Sequence, residues 1–246
     1  MISAACYPGR DLITPRQRDI IEFVLTNFTG SDRTIFDSGN VLINRALIDD
    51  LLGERWLSDV HINTWALVLS AHRRRSPAQF KSFLYISPDH ARSKCSNSET
   101  LISHVTLENV SKANILLMPV HTPGHWSLLV CDLMRRKWDF YDSMPRSVHR
   151  TSLPTLVSAF YKDAHKALPS DLLTWKIEPV DKIPKQQGGT DCGVFVLKYM
   201  EAALSPSEIV WENHKNWQAS MSRFRAEIAA DFFRVFHEII VANLTG

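Results

Sequence analysis

The stretch from His125 to Met144, HWSLLVCDLMRRKWDFYDSM, decides the fold. Two runs rich in aliphatic and aromatic residues, HWSLLVCDL and KWDFYDSM, flank the polar break Met134-Arg135-Arg136-Lys137, and this pattern predicts an antiparallel hairpin. His125 opens the first strand and Asp142 closes the second, so antiparallel pairing returns both to one end of the sheet. Upstream, NILLMPV reads as a further strand. Downstream, SLPTLVSAFYKDAHKAL (152–168) has helical period, LLTWKIEPV is a strand candidate, and the loop IPKQQGGTDCG leads into a buried helix, GVFVLKYMEAAL.

Further out, residues 15–28 carry Ile20, Ile21, Phe23, Val24 and Phe28 at near-helical spacing, with Thr14 as N-cap and Pro15 at the first helical position. VLINRALIDDLLGERW reads as a short extended piece followed by a helix with Leu47, Ile48, Leu51 and Leu52 on one face. SDVHINTWALVLSAHRRR is a second helix, capped by Ser58 or Asp59. Phe224, Ile228, Phe232, Phe233, Phe236 and Ile239 place one or two amphipathic helices in the last forty residues. The class is α+β, with a central, partly antiparallel sheet between helices.

The 246 residues are 45% hydrophobic and 22% charged, which excludes a wholly disordered or coiled-coil chain. No internal repeat or long linker interrupts the pattern, so the expected organisation is an N-terminal extension with a loosely attached helix over 1–40 and one domain over 41–246. A net charge of +2 provides no bulk field toward nucleic acid or an anionic membrane, and neither is expected as a partner. No apolar run approaches a membrane span, and the first residues lack the apolar core of a secretory signal. A soluble protein of nucleus or cytoplasm is the expectation. Arg73-Arg74-Arg75 reads as a solvated helix end, with a nuclear signal as its alternative.

Four cysteines, Cys6, Cys95, Cys131 and Cys192, stand far apart without a CxxC pair, against a disulfide scaffold or a structural zinc site. Cys192 is set apart by its neighbourhood. It follows Gly188-Gly189-Thr190-Asp191 and precedes an apolar helical run, which puts its sulfur near a helix N-terminus, where unpaired N–H groups and the helix dipole favour thiolate. The other three are read as core cysteines. A thiolate nucleophile needs an imidazole, and the imidazole needs a third group to orient it; the hairpin offers His125 and Asp142. Gln186, six residues before Cys192, has an amide suited to an oxyanion, with the Cys192 backbone N–H as second donor. His121 and His125 are four apart, but Thr122-Pro123-Gly124 breaks any helix that would pair them on a metal, and no metal or cofactor is expected.

WLSD (Trp56 to Asp59), HWSLLVCDL, WDFYDSM and QQGGTDCGVF together resemble the ubiquitin-like-protein-specific protease family, the SUMO (sentrin) proteases. The order His, Asp, Gln, Cys and the separations of 17 and 6 residues are similar to the family's, and the reverse of papain, where the cysteine comes first. The resemblance covers roughly residues 40–240 and implies the papain-like (adenain-type) cysteine protease fold, with a mixed, largely antiparallel sheet flanked by helices. It implies Cys192 as nucleophile, His125 as general base and then acid, Asp142 as orienting carboxylate and Gln186 as oxyanion donor. It further implies Trp56 and Trp126 as the aromatic walls of a tunnel for a Gly-Gly tail, which would read diglycine by excluding side chains. The implied reaction is hydrolysis after the C-terminal Gly-Gly of a ubiquitin-like modifier, SUMO foremost, by deconjugation or precursor maturation; the modifier and its conjugates are the implied partners. Alternatives are a deneddylase or deubiquitinase, protein acetyl transfer on a related fold, and a binding module without turnover. Gly188-Gly189 stands where family loops commonly carry Asn-Gly, and the stretch 76–101 matches no familiar family loop.

Overall fold

The computed structural model describes residues 1–37, 41–88, 104–214 and 216–245. In chain order its elements are α1 (Pro15–Asn27), β1 (Thr34–Asp37), β2 (Leu42–Asn44), α2 (Arg45–Leu52), α3 (Asp59–Arg75), β3 (Phe83–Tyr85), α4 (Leu107–Ser111), β4 (Ile115–Thr122), β5 (His125–Asp132), β6 (Lys137–Tyr141), α5 (Ser147–Thr151), α6 (Leu153–Ala164), β7 (Ile177–Pro179), α7 (Cys192–Ala203) and α8 (Met221–Thr245), with short 3-10 turns between several of them. They group into two compact units: Met1–Ala71 with Gln186–Val194 and Asn216–Gly246, and His72–Lys185 with Phe195–Lys215.

The second unit is built on a five-stranded mixed sheet in the order β3-β4-β5-β6-β7. Its centre, β4-β5-β6, is an antiparallel meander, and β3 and β7 add parallel edges. All eight residues of β5 are buried, which is why its stretch Leu128–Cys131 reads as a continuous apolar run rather than an alternation. On one face Leu116, Met118, Leu129, Cys131, Trp138 and Phe140 pack with Leu153, Val157, Phe160 and Ala164 of α6. The opposite face presents Tyr141, whose ring lies 5.5 Å from that of Tyr199 on α7. Helices thus cover both faces of the sheet. The segment LLTWKIEPV, expected as one strand, forms a 3-10 turn at Leu172–Thr174 and then three strand residues, because the ladder to β6 begins only at Ile177.

In the first unit α8 packs against α1 and α2, and Phe36 of β1 stacks on Phe236 at 4.1 Å. Thr14 and Gln17 form a reciprocal capping box at the start of α1, with Pro15 at its first position. The segment 1–40, expected to be loosely attached, is instead tied into this unit across its described residues. The buried Arg45 side chain donates to the carbonyls of Leu25 (2.8 Å), Phe28 (2.9 Å) and Ile2, and pairs with Asp49 at 3.0 Å. Asp49 in turn accepts the Ile2 N–H. A guanidinium has five donors and no acceptor, so once buried it draws in carbonyls from separate segments. Ile21, Val24 and Leu25 of α1 are buried with it. Cys6, expected in the core, is exposed, because it precedes any regular element; Cys95 lies outside the described residues.

His61, in the first turn of α3, is fully buried and neutral. Its Nδ1 accepts the Ser58 N–H at 3.0 Å, and its Nε2–H donates to the Leu47 carbonyl at 2.8 Å. Burial, only partly opposed by the bond to Leu47 and the charges of Asp50 and Asp59, holds its pKa below the usual imidazole value; Arg225 acts in the same direction as burial. The unfolded imidazole takes up a proton as pH falls through about 6.5, and the folded one only at lower pH. Stability present above that value is therefore lost on acidification. Urea midpoints measured from roughly pH 7.5 to 5 should fall accordingly, and His61→Gln should flatten the decline; an identical slope in both proteins would place the proton uptake elsewhere.

Candidate active site

In the second unit the turn between β4 and β5 sets the position of His125. Pro123 fixes its own φ, Gly124 supplies φ +73°, and the register closes with Thr122 opposite His125. Pairing of β5 with β6 then runs from Asp132↔Lys137 to Leu128↔Tyr141, and Asp142 follows directly. His125 Nε2 lies 2.8 Å from Asp142 Oδ1, both residues being buried. The same oxygen accepts the Met144 N–H at 2.9 Å, and Oδ2 lies 2.8 Å from Nδ1 of His149. An ionised carboxylate only accepts, so both imidazole nitrogens are donors here. Burial, the largest influence, pushes the Asp142 carboxyl up, but the hydrogen bonds from His125, His149 and Met144 outweigh it and leave the pKa below its usual value.

In the first unit Cys192 is the first residue of α7 and is buried. Gly193 is dictated by packing: a Cβ there would stand 2.7 Å from the Leu57 Cβ, so the WLSD segment presses directly on the backbone behind the cysteine. The preceding residue, Asp191, pairs with Arg225 of α8 at 3.0 Å, where Arg225 is 1% exposed and also donates to the carbonyls of Thr190, Leu51 and Arg55. Gln218 brackets the loop from outside. Its Oε1 accepts the Gln187 N–H at 2.7 Å and its Nε2 donates to Asp191 Oδ2 at 2.8 Å, so one amide joins the residue after Gln186 to the residue before Cys192. Gln186 donates Nε2–H to the Gly188 carbonyl at 2.8 Å, which orients its amide within the same loop.

The structure therefore brings His125 and Asp142 into a direct hydrogen bond in one unit and carries Gln186 and Cys192 on one loop of the other. Trp126 is buried on β5 with its ring 4.5 Å from His121, whereas Trp56 is 59% exposed. Three residues were not read from the sequence: His149, Arg225 and Gln218. His149 lay in a segment with no periodicity, and Arg225 and Gln218 lay in what read as the polar positions of C-terminal helices. The Asp191 carboxylate beside the cysteine was the available signal, since a buried acid demands a partner. Among the described residues His125, Asp142 and His149 offer ligand atoms within 4.8 Å of one another. Both oxygens of Asp142 already accept N–H groups there, so a cation would have to displace both imidazole bonds.

This is the papain-like α+β architecture. Residues 55–238 match the model of the Ulp1 protease family, C-terminal catalytic domain, and the chain belongs to that family. It is 27% identical over 194 residues to sentrin-specific protease 2 of Pongo abelii, covering 75% of this chain and 32% of that protein. It is 25% identical over 211 residues to the putative ubiquitin-like-specific protease 1B of Arabidopsis thaliana, covering 80% and 60%. The chain thus spans about a third of the length of the first of these relatives. Among solved structures, the Chaetomium thermophilum Ulp1-like SUMO protease catalytic domain superposes with a TM-score of 0.64 at 19% identity, covering 94% of this chain and 95% of that one. The C-terminal Ulp1 protease domain in complex with Smt3, the yeast ortholog of SUMO, gives 0.61 at 15%, covering 90% and 96%. At these identities the superpositions show the shared fold.

Removing one member of a buried ion pair costs about 3–5 kcal/mol. Arg225→Met should therefore lower unfolding free energy strongly, and Asp191→Asn less so, because Gln218 still donates to that side chain. In a double-mutant cycle read by urea denaturation the combined loss should fall well short of the sum; strict additivity would show that the two side chains are not coupled.

Proposed function

We propose that this chain is a cysteine peptidase and isopeptidase that hydrolyses the bond after the C-terminal Gly-Gly of a ubiquitin-like modifier of SUMO type, from a lysine conjugate or a precursor extension. What carries the reading is the family match over 55–238, within which the buried His125–Asp142 hydrogen bond falls. The solved relative bound to Smt3 supports a SUMO-type partner. No helix among the described residues is long and apolar enough to cross a membrane, and the nucleus or cytoplasm, where such conjugates would be met, is the proposed location.

In this mechanism the Cys192 Sγ, as thiolate, attacks the terminal glycyl carbonyl. The resulting oxyanion takes N–H bonds from the Gln186 amide and from the Cys192 backbone, whose N–H at the head of α7 has no partner within the helix. His125, protonated by the thiol, gives that proton to the leaving amine, and the carbon–nitrogen bond breaks to leave a thioester on Cys192. A water molecule then loses a proton to His125 and attacks the thioester; the glycyl carboxylate leaves and the sulfur recovers its proton. Asp142 keeps Nε2 of His125 protonated, so Nδ1 is the atom that exchanges protons in both halves of the cycle. Trp56 and Trp126 contribute indole surface to diglycine recognition.

The test is a panel of SUMO, NEDD8 and ubiquitin proteins ending in a propargylamide, incubated with wild type and Cys192→Ala. Wild type should form a covalent adduct with the SUMO probe foremost and the variant with none. Labelling of the variant would remove Cys192 as nucleophile, and an unreactive wild type would remove the peptidase. On a fluorogenic diglycine-terminated SUMO substrate, Gln186→Ala should lower kcat by about 10²-fold with little change in KM, as loss of an oxyanion donor does. A change confined to KM would make Gln186 a binding residue.

A further inference from the structure

We infer that His149 is a positioning residue for the His125–Asp142 pair, an inference that rests on the cysteine peptidase reading. Asp142 hangs on the chain just beyond β6, where a carboxylate held by one oxygen would turn about its last side-chain bond. Here neither oxygen is at liberty to do so. Oδ1 accepts from His125 and from the Met144 N–H, and Oδ2 accepts the Nδ1–H of His149 at 2.8 Å. His149 is itself buried on α5, and its ring lies nearly parallel to that of His125, with centroids 4.4 Å apart and planes 11° from each other. One side chain thus acts on both members of the pair. Its nitrogen fixes the plane of the carboxylate, and its face fixes the plane of the imidazole that the carboxylate orients.

A residue that merely filled space would need neither contact. The nitrogen bound to Asp142 must carry a hydrogen, because the carboxylate offers only lone pairs, and a stacked ring restricts rotation of the partner imidazole in a way that an aliphatic side chain of equal volume does not. The two contributions are separable by substitution. His149→Asn keeps a donor near the Nδ1 position and removes the ring; His149→Phe keeps the ring and removes the donor; His149→Ala removes both.

With a fluorogenic SUMO-type substrate, His149→Ala should lower kcat about tenfold with KM within about twofold, the loss of roughly one charge-assisted hydrogen bond felt in the transition state. Asn and Phe should each recover part of the loss, and thermal melts should show all three folded. A second readout needs no turnover. In Cys192→Ala protein, the ring Nε2–H proton of His125 should appear far downfield and exchange slowly by NMR, and should broaden or shift upfield when His149→Ala is added. If wild type cleaves no modifier but this proton still responds to His149, the peptidase reading falls and the positioning role stands. If cleavage is intact and neither kcat nor the ring proton changes in any folded variant, or if the whole effect lies in KM, the positioning role is wrong.

Discussion

The register between β5 and β6 is the constraint on which the chemistry depends. Leu128 lies opposite Tyr141, so one further step of the ladder would set Asp142 opposite Ser127 and diagonal to His125, on the same face of the sheet. Side chains alternate with a period of two, so a slip of one residue would carry the carboxylate to the opposite face. Two features hold the register. The turn after Asp132, whose Oδ1 accepts the Met134 and Arg135 N–H groups at 3.0 and 2.9 Å, closes β5 on β6, and the Leu129–Phe140 and Cys131–Trp138 pairs bury their side chains in the layer beneath α6. Packing of a wholly buried strand is thereby converted into a hydrogen bond between two ionisable groups.

The loop before Cys192 is held by another kind of interaction. No ladder reaches it, and its order comes from side chains: Arg225 on Asp191 and Thr190, Gln218 on Gln187 and Asp191, and Leu57 against Gly193. Arg225 also takes carbonyls at the end of α2 and at Arg55, so a single guanidinium ties α8 to the segment that presses on the cysteine. The cost of burying that charge is offset by Asp191 and by acceptors that would otherwise be left unmade. The aspartate beside the cysteine is in this sense a structural residue, and its partner comes from a helix that begins about thirty residues later.

Much of this was legible in the sequence, for reasons that particular residues make plain. The hairpin could be read because two long apolar runs bracket a polar tetrapeptide, and α1 because Thr14 and Pro15 mark its start before an apolar stripe at helical spacing. β3 could not be read: Phe83–Tyr85 is too short to show a period, and it becomes a strand only by pairing in parallel with Ile115–Leu117. The attachment of residues 1–40 was hidden for a related reason, since it depends on Arg45 reaching carbonyls twenty and seventeen positions earlier, which no local pattern records. His149 is the instructive omission. A histidine in SVHRT looks like one of ten scattered imidazoles until the chain brings it back to Asp142.

Comparison of Cys131 with Cys192, the proposed nucleophile, shows why burial alone does not mark a reactive thiol. Cys131 is fully enclosed near the end of β5, the central strand, paired with Leu116 on one side and Trp138 on the other; burial pushes its thiol pKa far up, and the charges of Asp132 and Asp139 push it the same way. Cys192 is buried to nearly the same degree, 4% exposed, but it stands at the head of a twelve-residue helix whose first N–H groups have no acceptor within the helix. One environment disfavours negative charge on sulfur from every side. The other presents backbone dipoles to whatever charge develops beside the sulfur, including that of an attacked carbonyl. The difference lies in the backbone around each thiol, and the sequence records it only as the glycines and aspartate that precede Cys192.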